Sequence, residues 1–321
     1  MKKKLFLGAV VLIALCVLFN SAEASTIGSR AQGTILTSAP DYDWWYGCSP
    51  TSAGMMMGYY DIKGYGGKLY NNLVPGGVAE LETFTGSADK VYLYHAQRAI
   101  ASPGHIQAFY RNATSTDYGL RSPYFGVSGD DKPALHPTPD SLADYMGTSQ
   151  DSVGSSNGST WFYYFTGGQK FYATDAFDNN VWEQDGMYGM YEYVNAMGYA
   201  AGMNNFYTQL TNNQISAGFS FADYMAEIDA GRVVMIQVEG HSMFGYGYNP
   251  QTQGVYLHDT WGLGQDYMLW GGSYSGMTMW GVTVFIPEGG SSPTIPEPLT
   301  LLLLIPGLAA MAVLRKRLLR D

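Results

Sequence analysis

Cysteine is scarce in this chain: two residues in 321, Cys16 and Cys48. Cys16 lies in an N-terminal apolar segment that is read below as removable. Cys48 is then the single remaining thiol, and no internal disulfide can form. With one cysteine and no closely spaced histidine pair, a zinc site is not expected, and neither is any other metal or cofactor. Charge is sparse at 14%, and basic residues (17) are fewer than acidic ones (27). Seven of the basic residues (Lys2, Lys3, Lys4, Arg315, Lys316, Arg317, Arg320) and three of the acidic ones (Glu23, Glu297, Asp321) sit at the two ends. The remainder holds 10 basic and 24 acidic groups, a net of −14. Phosphate binding needs basic groups, so nucleic acid is not an expected partner. There is no repeat of fixed period, which argues against a solenoid or propeller. Hydrophobic content of 46% with 15% aromatics excludes a disordered chain.

The ends carry patterned segments. Lys2 to Lys4 precede an apolar run from Leu5 to Phe19, followed by Ser21-Ala22-Glu23-Ala24. Charge, apolar stretch and small-x-small site describe a secretory signal peptide over 1–24, cut after Ala24. The alternative, a transmembrane helix, requires about 20 apolar residues. At the other end, Pro296-Glu297-Pro298 leads into an apolar stretch from Leu299 to Leu314 and then Arg315-Lys316-Arg317. This order resembles the PEP-CTERM sorting signal of Gram-negative bacteria. The resemblance covers 294–321. It implies a precursor held in the membrane through its C-terminal helix, an exosortase-type partner, and a place at the cell envelope, surface or extracellular matrix. A plain C-terminal anchor is the alternative.

Between these segments, residues 25–286 are long enough for one large domain or two small ones and are read as one, with 287–295 as a Gly/Ser/Pro linker. Helical patterns are expected over 51–60, 87–100, near Asp140, over 187–199 and over 220–230. Ser220 caps the last of these, with Asp223 in its first turn and Gly231 after its end. The aromatic run 161–165 reads as a strand. Strands are also expected over 233–238, 243–248, 255–258 and 277–286. Helices come mainly first and strands mainly last, which is the α+β class with a segregated sheet.

Three residues form a candidate site. Cys48 opens the helical pattern in Gly47-Cys48-Ser49-Pro50, and a helix N-terminus favours a thiolate. His241 lies in Glu239-Gly240-His241-Ser242, between two strand runs. Asp259 ends a strand 18 residues later. A cysteine nucleophile, a histidine base and an acid that orients the imidazole make up the set that acyl hydrolysis by a thiol needs. Cys48-Ser49-Pro50-Thr51-Ser52-Ala53, the Met-rich helix after it and Tyr59-Tyr60-Asp61 resemble the first block of bacteriocin-processing, family C-39-like cysteine peptidases. Gly240-His241-Ser242 resembles the second block and Asp259-Thr260-Trp261-Gly262 the third. The resemblance covers about 40–66 and 218–286 and leaves a long unassigned insertion around 100–217. It implies a papain-like fold, with the catalytic Cys at a helix start and a C-terminal antiparallel sheet, a peptide or protein substrate, and the roles above for Cys48, His241 and Asp259.

The family places a glutamine several residues before its cysteine as an oxyanion donor, and residues 37–47 contain none. The Trp44 indole N–H and the main-chain N–H of Cys48 are the candidate replacements. A non-catalytic surface or matrix binding protein on the same fold is therefore the second reading. Cys48 as a buried inert thiol and His241 as an ordinary core histidine are the corresponding structural alternatives. His258 should face away from the site across its strand. His95, His105 and His136 read as surface residues. Asp175, Asp178, Asn179 and Asn180 lack the spacing of a calcium loop and read as a solvated turn.

Overall fold

A computed structural model gives the structure of residues 33–83, 94–101, 139–150, 153–155 and 158–288. The signal segment 1–24 and the apolar tail 299–314 lie outside the described residues. The expected membrane contact through a C-terminal helix is corrected: among the described residues no helix is long and apolar enough to cross a membrane. The longest helix has 16 residues, about 24 Å at 1.5 Å per residue. It lies in the core and carries a buried aspartate, Asp61.

The described residues form six α-helices and eleven strands. In chain order these begin with β1 (Thr34–Ile35), β2 (Asp41–Tyr42), α1 (Cys48–Lys63), β3 (Glu82–Thr83), α2 (His95–Ile100) and α3 (Leu142–Tyr145). The middle contributes β4 (Phe171–Tyr172), α4 (Ala173–Asp178), α5 (Gly186–Ala196), β5 (Phe206–Leu210) and α6 (Phe221–Asp229). The chain then runs through β6 (Val234–Val238), β7 (His241–Asn249), β8 (Gly254–His258), β9 (Asp266–Leu269), β10 (Ser273–Tyr274) and β11 (Met277–Phe285).

Nine strands make one sheet in the order β4-β5-β11-β6-β7-β8-β9, with β1 added on β7 and β10 on β11. Every pairing in it is antiparallel. The fold is therefore α+β. Both faces of the central strands are covered, so β6 and β7 read as near-continuous buried runs. Met235, Phe244 and Tyr246 point to the α1 side, with Met55, Met56 and Met57. Val234, Ile236, Met243 and Tyr248 point to the α6 side, with Tyr224 and Ile228. α1 is buried nearly all round from Ser49 to Asp61, as expected of a helix apolar on every face.

Two bulges set side-chain directions. The register of β7 on β8 slips between Gly245 and Gly247, and that of β11 on β6 slips between Met279 and Gly281. Each leaves one aromatic residue, Tyr246 or Trp280, outside the ladder, and the inward face changes parity beyond it. Residues 161–165 are not the strand expected. They run extended and make one bridge, Trp161 to Asp185. Phe162, Tyr163 and Phe165 pack against the α1-side core, while Trp161 is exposed. Aromatic β-propensity measures fit to a packed surface more than a backbone preference, so the pattern was compatible with extended chain outside the ladder.

Candidate active site

Cys48 is the first residue of α1. The chain reaches it through Tyr46, whose φ of 69° is rare for a bulky residue and costs about 1–3 kcal/mol. Thr51 holds that turn: its hydroxyl donates to Gly47 O (2.7 Å) and accepts from Trp45 N–H (3.0 Å). Glycine is required at 47 by contact, since a Cβ there would lie 2.9 Å from Gly158 O. The first turn contains no acidic side chain. The partial positive charge of the helix start is thus left for the half-buried thiol.

His241 is brought opposite by the β6–β7 hairpin. Val238 pairs with His241, and Glu239-Gly240 closes the turn, with Gly240 at φ 78° in the left-handed region that favours glycine. The imidazole Nε2 lies 2.7 Å from the main-chain oxygen of Asp259. A carbonyl only accepts, so Nε2 carries the hydrogen, and Nδ1 is left to face the thiol. Cys48 and His241 line the same cleft, and each side chain shifts the proton affinity of the other. Trp261 stacks on the imidazole at 4.3 Å and 21°.

The structure thus brings Cys48, His241 and Asp259 together, and Asp259 meets the ring through its backbone. Its carboxylate is occupied elsewhere: Oδ1 accepts from Trp261 N–H (2.8 Å) and Oδ2 from the Tyr274 hydroxyl (2.7 Å). The side chain therefore shapes the loop that carries the carbonyl and the covering tryptophan.

The electrostatics favour an ion pair. Burial pushes the Cys48 thiol up, but the hydrogen bond and charge of His241, helped by Ser242 N–H and Ser49, outweigh it and leave the thiol below its ordinary value. Burial lowers His241 in turn. The bond to Cys48 and its charge, then the Asp259 carbonyl and charge, raise it above the usual imidazole value. Both directions favour the charged forms, thiolate and imidazolium, over what the isolated groups would hold.

Buried hydroxyls lock the two halves of the pair. Ser49 Oγ and Ser242 Oγ are 2.8 Å apart, and Ser242 Oγ donates to Gln237 Oε1 (2.6 Å). Ser52 Oγ donates to Ser242 O (3.0 Å). Ser49 and Ser242 each follow a predicted catalytic residue directly, and that adjacency was the one signal for them.

The pair opens into a cleft of about 770 Å³ walled by Trp44, Phe162, Tyr164, Trp261 and Trp280, with Gly158, Ser159 and Thr160. Trp44 packs against Gly158, where a Cβ would be 3.6 Å from its Cζ2. The wall from 158 to 164 comes from the segment the sequence left unassigned. Trp280 is presented by the β11 bulge, which no periodicity announced. His258 lies on the other side of its strand, stacked on Tyr246 at 4.4 Å. His95 starts α2 beside Glu80, with Nδ1 3.5 Å from Oε1, while His105 and His136 lie outside the described residues. Asp175 accepts from Tyr172 N–H (2.8 Å) at the start of α4, and among the described residues no group of three His, Cys, Asp or Glu is arranged to hold a metal.

No family model matches the chain, and no curated protein or solved structure matches it.

Proposed function

We propose that the chain is an exported cysteine peptidase with a papain-like arrangement, using Cys48 as nucleophile, His241 as acid and base, and Asp259 to orient the ring. The single observation that carries this reading is Cys48 at a helix start sharing an open cleft with His241, whose Nε2 is held on the Asp259 carbonyl. Thiolate attack forms the S–C bond and moves the carbonyl π pair onto oxygen. The main-chain N–H of Cys48 and the Trp44 indole N–H are the proposed donors to that oxygen. Nδ1–H of the imidazolium then passes its proton to the departing amine as the C–N bond breaks. Water attacks the thioester while His241 takes its proton; the C–S bond then breaks with its electron pair on sulfur, which releases the acid and restores the thiolate and imidazolium.

A binding protein on the same fold is the second reading. It is favoured by the missing upstream glutamine, and Gln237 does not substitute for it: its Nε2 donates to Thr283 Oγ1 (3.2 Å) and Met235 Sδ (3.1 Å). Incubating the purified protein with a peptidyl epoxide and with a fluorogenic peptide library separates the two. The peptidase reading expects modification at Cys48, found by mass spectrometry, and turnover that Cys48→Ala and His241→Ala both abolish. Turnover equal in Cys48→Ala and wild type overturns it.

A further inference from the structure

The loop of residues 259–265, between β8 and β9, supplies both groups that hold the imidazole, the Asp259 carbonyl and the Trp261 ring. Its far end is gripped at one residue, Gly264, through both of its main-chain polar groups. Gly264 N–H donates to Asp41 Oδ2 (2.6 Å), and Gly264 C=O accepts from His258 Nδ1 (2.7 Å). Asp41 Oδ2 and His258 Nδ1 are themselves 3.5 Å apart. Asp41 comes from β2, 223 residues earlier in the chain, and His258 ends β8, so the grip ties the loop to two separate elements. Both side chains are buried. His258 is fixed from behind by Tyr246, the bulge residue of β7. Gly264 has φ 141°, a conformation that a residue with a side chain rarely adopts.

We infer that Asp41 and His258 are positioning residues for the Cys48–His241 pair, acting through the main-chain N–H and C=O of Gly264 to hold the 259–265 loop over the imidazole. Neither touches the reacting atoms. Releasing Gly264 frees the loop at the end opposite Asp259, and the carbonyl and the stacked indole then lose their fixed place on the ring. An imidazolium without that carbonyl is less stabilised, and so is the thiolate it faces. The inference rests on the proposed cysteine-nucleophile reading, and the test keeps the two apart.

The measurement is the rate of Cys48 alkylation by iodoacetamide against pH on the full chain, with the thermal midpoint recorded in parallel. It reports the thiol directly and needs no substrate. Two amide variants give the sharpest comparison. In His258→Asn the amide nitrogen falls where Nδ1 was and can still donate to Gly264 O; in His258→Gln it falls one bond farther out. The expected result is that Asn keeps the wild-type profile within about twofold, while Gln and Asp41→Ala lose about tenfold near pH 6 and shift the profile to higher pH. Asp41→Asn, which still accepts from Gly264 N–H, should stay near wild type. Folded Gln and Asp41→Ala variants with the wild-type profile would overturn the inference and leave the peptidase reading intact. A wild-type profile that already matches a free thiol would instead remove the thiolate–imidazolium pair, and the positioning role with it.

Discussion

Asparagine at 259 distinguishes the observed site from a triad in which a carboxylate holds the ring. Where the acid side chain sets the histidine tautomer, its conversion to the amide costs about 10⁴ in kcat, because the amide stabilises the wrong tautomer. Here the tautomer is set by the Asp259 carbonyl, 2.7 Å from Nε2, and the substitution leaves that group in place. The new side chain still accepts from Trp261 N–H through its Oδ1, and the Tyr274 hydroxyl still finds a polar partner. What disappears is the negative charge near the imidazolium, worth about 1 kcal/mol at an intermediate effective dielectric, or roughly fivefold in rate. Asp259→Asn should therefore retain at least about a tenth of wild-type kcat/KM. Asp259→Ala removes both side-chain bonds, leaves Trp261 N–H and Tyr274 without their acceptor at about 1–3 kcal/mol, and should fall further, by about 10²-fold. The assay is hydrolysis of a fluorogenic peptide, with the alkylation profile of Cys48 run alongside. A loss of about 10³ or more in a folded Asp259→Asn protein would refute the reasoning, because the carboxylate would then have to be the ring's partner during the proposed reaction.

Three further outcomes follow from the same geometry. Ser242→Ala removes the hydroxyl between Ser49 and Gln237 and should cost about 1–3 kcal/mol in denaturant unfolding; a change below ~0.3 kcal/mol would show that the network contributes nothing. Asp185 is buried at the start of α5, and burial raises its carboxyl from 3.8 to about 7 against three main-chain bonds that lower it. The folded state holds this proton more tightly than the unfolded chain, so stability is full below 3.8 and is lost as pH rises towards 7. Asp185→Asn keeps the N-cap and should flatten the fall in thermal midpoint between acid and neutral pH; an unchanged slope would contradict this. Thr260 sits at φ 70°, a strain of about 1–2 kcal/mol for a β-branched residue, so Thr260→Gly should not lower the thermal midpoint while it slows turnover. A clear loss of stability would count against stored strain in this loop.

Much of the strand-rich end was legible. Ser220 caps α6 as expected, with Asp223 completing the capping box. β6, β8 and β11 fall within a residue of their expected limits, because buried apolar runs bounded by turn residues leave few alternatives. The order of Cys48, His241 and Asp259 could be read because each sits next to a boundary between elements. The means by which Asp259 acts could not be read, since a main-chain carbonyl leaves no mark in a residue sequence. Trp280 reaches the cleft only because of a bulge, and a one-residue slip reverses the face that periodicity assigns. Asp41 and Gly264 are far apart in the chain, and nothing local to either indicates the other. β5 was missed because Phe206–Leu210 lacks alternation; both of its faces are buried. The tail pattern after residue 288 belongs to sequence alone, and the described fold adds no membrane-crossing helix to it.

The central claim is that Cys48 and His241 form a thiolate–imidazolium pair, and the pH dependence of Cys48 alkylation by iodoacetamide tests it most directly. Wild type should react rapidly from mildly acidic pH upward, along a plateau that extends below the range in which an ordinary thiol ionises, near 8.5. His241→Gln should move the rise towards that ordinary range, because the hydrogen bond and charge that lower the thiol are removed. A wild-type profile that rises only near 8.5, and that His241→Gln leaves unchanged, would contradict the account.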